Sequence, residues 1–199
     1  MSARSFLYPA DGASFEPNAN EGRFLLSANH FIPVLWLALY QGKDLLSTPN
    51  EEPGEPDELY LSAERSAAVG RLLERRDHLL QALPAGSDVV YEAFATFLQR
   101  VDCAHIQCDP RQSLMIGEPP MGHQTVLQKV LEGFDAHPFI TVRRRKLFRK
   151  VEMQAPNEGW QAYHGWYMNP QSAMKRDPLP YVLAGCGEVE RAPWDPDDV

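Results

Sequence analysis

The sequence predicts an α+β protein in which a helical N-terminal half packs on a mainly antiparallel sheet formed largely by the C-terminal half. Apolar residues recur at helical spacing over residues 62–83 and 87–101, whereas β-branched and aromatic residues are frequent after residue 138. A chain of 199 residues with 44% hydrophobic content can bury the core of one large domain. We therefore expect a single globular domain over residues 1–199.

The first predicted elements are a strand and a buried helix. Residues 4–8, RSFLY, favour a short strand that ends at the turn signal PADG. Asn29 can cap a helix that begins near Ile32, because Pro33 is tolerated in the first turn of a helix. This helix is apolar on almost every face, so we expect it to be buried. The acidic linker that follows, at about residues 47–58, should run over the surface.

Three further helices are predicted by apolar spacing and capping residues. The longest covers residues 62–83 and has Ser62 as its cap. The next covers residues 87–101, and the short connection between the two makes them antiparallel neighbours. A third covers residues 125–134, where a glycine and a proline bracket its end.

The remaining elements are predicted to be strands. Segments 139–153, 160–168 and 180–186 are rich in β-branched and aromatic residues, which is typical of a sheet. The chain ends in an acidic tail over about residues 188–199, which we expect to be flexible.

The segment CAHIQCD, residues 103–109, places two thiols and an imidazole close together. It follows a helix and precedes Pro110, which favours a short strand whose side chains alternate, so Cys103 and Cys108 should point to opposite faces. A structural zinc site needs four convergent ligands, and the sequence has no second closely spaced pair. A reactive thiol stays open because a histidine from elsewhere could act as base, although a buried apolar role is commoner for cysteine.

Other catalytic signatures are missing from the sequence. GCGEVE, residues 185–190, has two glycines of a dinucleotide fingerprint but lacks the third, so we interpret it as a turn. Phosphate-binding loops, serine nucleophile elbows and zincin histidine pairs do not occur. We therefore expect a binding protein that needs no cofactor and no metal. The alternative is a small hydrolase-type enzyme that uses a Cys/His pair.

Composition favours a cytoplasmic protein with a basic partner. Three cysteines suit a reducing compartment, the N-terminus lacks the apolar stretch of a secretory signal, and the apolar run 31–40 is too short to cross a bilayer. A net charge of −8 opposes attraction to nucleic acids and anionic membranes. Residues 143–150 are the basic exception, which leaves nucleic-acid binding as a third possibility.

The opening ARSFLYPAD, residues 3–11, followed by LSANHFIPVLWLALYQG, residues 26–42, resembles the start of a family of small uncharacterised bacterial cytosolic proteins. The resemblance covers about the first fifth of the chain and carries no activity or catalytic residue across. Small acidic proteins of this kind are often immunity proteins encoded beside secreted antibacterial toxins. The resemblance therefore implies an immunity-protein role.

We expect this protein to neutralise a cognate toxin by occluding its active site. Acidic side chains would steer it toward a basic toxin surface, and aromatic side chains would supply the contact that slows release. The candidate partner-binding residues are Glu51, Glu52, Glu55, Asp57, Glu58, Trp160, Tyr163, Trp166, Trp194, Asp195, Asp197 and Asp198.

Overall fold

Five antiparallel strands form the main sheet of the protein. The computed structural model describes residues 3–15, 23–50, 57–115, 117, 119–146, 149–167, 179–186 and 192–194. The strands are β1 (Arg4–Ala10), β2 (Leu26–Asn29), β3 (Leu45–Thr48), β4 (Glu58–Glu64) and β5 (His105–Asp109). Their spatial order is β2-β1-β5-β4-β3, so β5, which comes last in sequence, lies at the centre. The strand expected at residues 4–8 is confirmed as β1.

The predicted division of the chain into a helical first half and a sheet-forming second half is wrong. All five strands of the main sheet lie within the first 109 residues, and the later part of the chain is mainly helical. Segments 160–168 and 180–186, predicted as strands, contain helices instead. Their aromatic and β-branched content reflects burial in the core, and local propensity does not distinguish a buried helix from a buried strand in so short an apolar run.

Eight helices and one 3-10 turn surround the sheet within the described residues. They are α1 (Val34–Leu37), the 3-10 turn (Gly42–Asp44), α2 (Arg65–Glu74), α3 (Arg76–Ala82), α4 (Ser87–Arg100), α5 (Arg111–Leu114), α6 (His123–Asp135), α7 (Glu158–Trp166) and α8 (Leu179–Ala184). The helices expected at residues 87–101 and 125–134 are confirmed as α4 and α6. Within the described ranges, no helix combines the length and the apolar character needed to cross a bilayer.

Two of the predicted helices differ from those observed. The long helix expected at residues 62–83 begins only at Arg65, because Ser62 lies in β4 and pairs with Gln107 of β5. It is also interrupted at Arg75, which separates α2 from α3. The first helix, α1, spans only four residues and has no side-chain cap, since Asn29 lies in β2. Its burial was predicted correctly, because every residue from 31 to 40 is buried.

The buried guanidinium of Arg75 ties three elements together. It is 3% exposed and donates hydrogen bonds to the carbonyl oxygens of Ala38 and Tyr40, at 2.8 and 2.6 Å. It also donates to Asp135 at the end of α6. These bonds satisfy carbonyl groups that the short helix α1 leaves open at its C-terminal end.

Two features of the later part of the chain are a hairpin and the turn that follows α8. Strands β6 (Phe139–Lys146) and β7 (Arg149–Pro156) form a separate two-stranded antiparallel sheet. The β structure expected at residues 139–153 is present, but it is a hairpin apart from the main sheet instead of a part of it. After α8 the chain turns at Gly185, which has a φ of +76° and lies so close to Trp36 that an added Cβ would be 2.6 Å from the indole ring. Of the segment 185–190, which the sequence predicts to be a turn, residues 187–190 lie outside the described residues.

The predicted surface linker joins two paired strands. Residues 49–57 lead from β3 to β4, and Thr48 is the register partner of Glu58. Of this connection, residues 51–56 lie outside the described residues, and of the predicted acidic tail only residues 192–194 are described.

Candidate functional site

An open cleft of about 680 Å³ lies beside the β4 side of the main sheet. Its walls come from the end of β3, the start of β4, the short helix α5 and the first turn of α6. We call it the β4–α6 cleft. The side chains that give it chemical character are Asp57, Glu58, Arg111, Met115, Met121 and His123.

A paired guanidinium forms one wall of the cleft. Arg111 donates from Nε and Nη2 to the two carboxylate oxygens of Asp109, at 2.9 and 3.0 Å, and from Nη1 to Glu58. Although burial opposes the charged form, these hydrogen bonds and the two carboxylates raise the pKa of Arg111 further above its ordinary value. One cation is thus held between two anions in a fixed geometry, and the cluster keeps a net negative charge.

The local sequence explains why Arg111 is fixed in this position. β5 ends at Asp109, and the following proline starts a turn in which the Asp109 carboxylate accepts a hydrogen bond from the backbone N–H of Arg111 at 3.0 Å. The guanidinium then lies over the ring of Phe15, 5.0 Å from its centroid. Phe15 itself stacks on Tyr60 of β4 at 5.1 Å. Such a cation–aromatic contact adds to the carboxylate bonds in orienting the guanidinium.

The loop that carries Phe15 is held by the central strand. Gln107 of β5 is completely buried, and its amide Nε2 donates to the carbonyl oxygens of Gly12 and Ser14 at 2.9 and 3.0 Å. The carbonyl of Ala13 lies at 3.3 Å from the same nitrogen. An amide buried in a β-strand therefore positions the loop that supports the Arg111 wall.

Two methionines give the cleft an apolar surface. Met115 is 85% exposed and Met121 is 54% exposed. Methionine side chains are flexible and polarizable, and exposed methionines are common on surfaces that bind other proteins. Their position beside a charged wall matches the usual pattern of a binding site, in which apolar surface is combined with a few fixed polar groups.

The first turn of α6 closes the far side of the cleft. His123 is the first residue of α6, and its Nδ1 lies 3.4 Å from the hydroxyl of Tyr167. Its Nε2 is buried and has no hydrogen-bond partner within the described part of the chain. The residue before it, Gly122, has no side chain that could cap the helix.

The predicted acidic contact residues are only partly described. Asp57 is exposed and Glu58 is half-buried, and both line the β4–α6 cleft. The other predicted acidic residues, Glu51, Glu52, Glu55, Asp195, Asp197 and Asp198, lie outside the described residues.

Two of the predicted aromatic anchors are core residues. Trp160 and Tyr163 are each 1% exposed and pack against Phe134 of α6, so the expectation that they contact a partner is wrong for this structure. The error follows from the predicted strand, because α7 is a helix that buries one face against α6. Trp166 lies on the other side of α7 and is 46% exposed. Trp194 is partly buried and packs against the rings of two phenylalanines in α4.

The thiols of the segment at residues 103–109 are poorly suited to nucleophilic attack. Cys108 is completely buried in β5, and burial raises its pKa well above the ordinary thiol value, with a smaller contribution from Asp109. Burial also raises the pKa of Cys103. Because the thiolate is the nucleophile, both shifts oppose the Cys/His hydrolase. In the part of the chain that the structure describes, no three His, Cys, Asp or Glu residues are grouped to hold a metal ion.

Sequence reasoning did not find most of the cleft. Arg111, Met115, Met121 and His123 carry no recognisable motif, and they meet Glu58 only because β4 pairs with β5 and α5 follows β5 directly. The acidic composition near residue 57 was the one feature of the sequence that pointed to residues of this cleft. No protein-family model, curated protein or solved structure matches the chain. The geometry of the cleft is therefore the basis for a functional proposal.

Proposed function

We propose that the protein binds a partner protein at the β4–α6 cleft, and that this partner is a secreted antibacterial toxin with a basic surface. On this proposal the chain is an immunity protein that neutralises its cognate toxin in the cytoplasm. The observation that carries the proposal is the presence of two exposed methionines and a net negative carboxylate cluster in one open cleft.

The charge of the cleft favours a basic partner. Glu58 and Asp109 share a single guanidinium, that of Arg111, so this cluster keeps a net charge of −1, and Asp57 adds a second negative charge at the rim. The whole chain carries −8. A negative site on a negative protein raises the rate of encounter with a basic surface and does little for an acidic one.

The apolar part of the cleft favours a long cationic side chain. Lysine and arginine carry apolar stems below their charged heads, and the stems can pack against thioether groups while the head reaches a carboxylate. Met115 and Met121 lie in the same cleft as Glu58. Loss of these contacts would chiefly speed dissociation.

The test uses the proteins encoded by the genes on either side of the gene for this chain, among which the proposal expects the toxin. Isothermal titration should give a one-to-one complex, and co-expression should protect growth only when this chain is present in at least equimolar amount. Protection by a small fraction of an equivalent would indicate catalysis and would overturn the proposal. Absence of binding to any of these proteins would overturn it as well.

Two variants connect the binding to the cleft. The double substitution Met115→Ser/Met121→Ser should weaken the complex about tenfold or more, since both side chains are exposed in the free protein and their loss should not disturb folding. Val89→Ser, at an exposed apolar position on α4, is the matched control and should leave affinity unchanged. Asp57→Lys should slow association at low salt and have little effect at high salt.

A further inference from the structure

The β6–β7 hairpin has a charge opposite to that of the rest of the chain. Residues 139–156 contain six basic residues and one acidic residue, a formal charge of +5, which leaves −13 for the remainder of a chain whose total is −8. The basic residues all lie within residues 143–150, at the turn end of the hairpin. The hairpin is therefore a positive arm on a negative protein.

The base of the hairpin is firmly attached to α6. Asn157, which is buried, donates from its side-chain nitrogen to the carbonyl oxygens of Gly133 and His137, at 2.8 and 3.0 Å. Its backbone N–H donates to the carbonyl of Pro138 at 2.8 Å, and its side-chain oxygen caps α7 by accepting from the N–H of Trp160. This clamp fixes the direction in which the hairpin leaves the body of the protein.

One face of the hairpin, close to its base, is apolar. Ile140 is paired with Ala155 and Val142 with Met153, so these four residues share a face, and we call them the apolar band. Ile140 is 43% exposed and Met153 is 50% exposed. On the opposite face, a polar pair, Thr141 and Gln154, forms a hydrogen bond of 3.2 Å.

The hairpin has little support of its own. Among the described residues no third strand joins β6 and β7. Isolated two-stranded hairpins are marginally stable in water, and packing of an apolar face against another element is the usual remedy. The apolar band is thus a surface that a partner would stabilise.

The base of the hairpin is electronegative. Glu132 in the last turn of α6 and Glu158 at the start of α7 are exposed, whereas the carboxylate of Asp135 is paired with Arg75. In addition, α6 has no basic residue in its last turn. The C-terminal end of a helix also carries a partial negative charge. Strands of eight residues separate this acidic base from the basic end by about 25 Å.

We propose that the hairpin binds the hairpin of a second copy of this chain. The two apolar bands face one another with the hairpins antiparallel, so that the basic end of each copy lies against the acidic base of the other. The same surface is used on both copies, as a two-fold dimer requires. The separation of charge along the hairpin favours a partner that offers both an acidic and a basic site, as a second copy does, over a polyanion, which offers negative charge alone. The proposal does not depend on the β4–α6 cleft.

Sedimentation velocity of the full chain tests the dimer. We expect a monomer–dimer equilibrium at micromolar concentration that shifts toward monomer as salt rises. Ile140→Thr/Met153→Thr should weaken the dimer about tenfold or more, whereas Val89→Thr, the matched exposed position on α4, should not change it. Thermal melting of each variant confirms that it is folded.

A charge exchange gives a second, independent readout. The variants Arg144→Glu/Lys146→Glu and Glu132→Lys/Glu158→Lys should each dimerise about tenfold more weakly than the natural chain, and an equimolar mixture of the two should form a heterodimer. A chain that stays monomeric up to about 1 mM at low salt would overturn the proposal. So would a dimer unaffected by the apolar-band variant, or a monomer that instead binds a short RNA through Arg144 and Lys146.

Discussion

Strand β5 and the β6–β7 hairpin have similar sequence patterns but differ in burial. In β5, Ile106, Gln107 and Cys108 are all completely buried, because strands flank it on both sides and elements cover both faces. In the hairpin, Ile140 is 43% exposed at a comparable position. The alternation of residues along a strand therefore indicates which side chains share a face. The position of the strand in the sheet decides whether either face is exposed to solvent.

The arrangement of charged residues also differs between the main sheet and the hairpin. Beside the main sheet, charged groups form direct ion pairs, as Arg111 does with both Asp109 and Glu58. In the hairpin, like charges are concentrated at one end of the element. Individual pairing fixes side chains in place, whereas concentration of charge creates a field that acts on a partner.

The largest expected difference between the two regions comes from the same truncation made in each. Ile106→Ala should lower the free energy of unfolding by about 3 kcal/mol, because the site is fully packed and a cavity would remain. Ile140→Ala should cost less than about 1 kcal/mol in the monomer, since its side chain is partly in solvent already. Urea denaturation at a concentration below dimer formation measures both. Equal losses would mean that the hairpin is as well packed as the sheet.

The next effect concerns the base of the hairpin. In Gly159→Ala the new Cβ would lie 2.5 Å from both the Cα of Gly133 and the carbonyl oxygen of Lys129, so α6 and α7 would have to separate. We expect a loss of about 2 kcal/mol. Gly165→Ala, on the same helix with no atom within 4 Å, should instead stabilise by up to about 1 kcal/mol. Thermal melting of the two variants checks this prediction. A Gly159→Ala variant as stable as the natural chain would show that α6 and α7 are not tightly packed where they cross.

The third effect is the loss of the Gln107 amide. Gln107→Met keeps the volume of the side chain but removes the donor for the carbonyl groups of Gly12 and Ser14, which should cost about 1.5 kcal/mol. Amide hydrogen exchange in residues 11–15 should become faster. Gln81→Met, at an exposed position of α3, serves as the control. If exchange in the loop stayed the same, another contact would be holding it over Arg111.

The sequence allowed prediction where local signals agreed with the final packing. α4 and α6 were predictable because apolar spacing and chain-breaking residues specify the same boundaries. β4 was not, because it passes into α2 at Arg65 without a turn, and its strand state depends on pairing with β5 more than forty residues away. In the same way Asp57 and Glu58 were identified from charge, whereas the cleft they line depends on contacts that local patterns do not encode.

The smallest effect is a pH dependence that arises in α7. His164 is half-buried between the rings of Trp160 and Tyr163, and this burial lowers its pKa below the ordinary histidine value. The unfolded chain then binds the proton more tightly than the folded one, so protonation favours unfolding, and stability is lost as pH falls from about 6.5 through the lower pKa of the folded state.

A comparison of the natural chain with His164→Gln separates the effect of His164 from the titration of other groups. Between about pH 7.5 and about pH 5.5 the natural chain should lose more stability than the variant, which cannot take up that proton. The same experiment bears on the two regions, because α7 supports the hairpin through Asn157 and is remote in sequence from β5. Hydrogen exchange at pH 5.5 should therefore increase more at the hairpin base than in β5, whereas a uniform increase would show that the two regions unfold as a single unit.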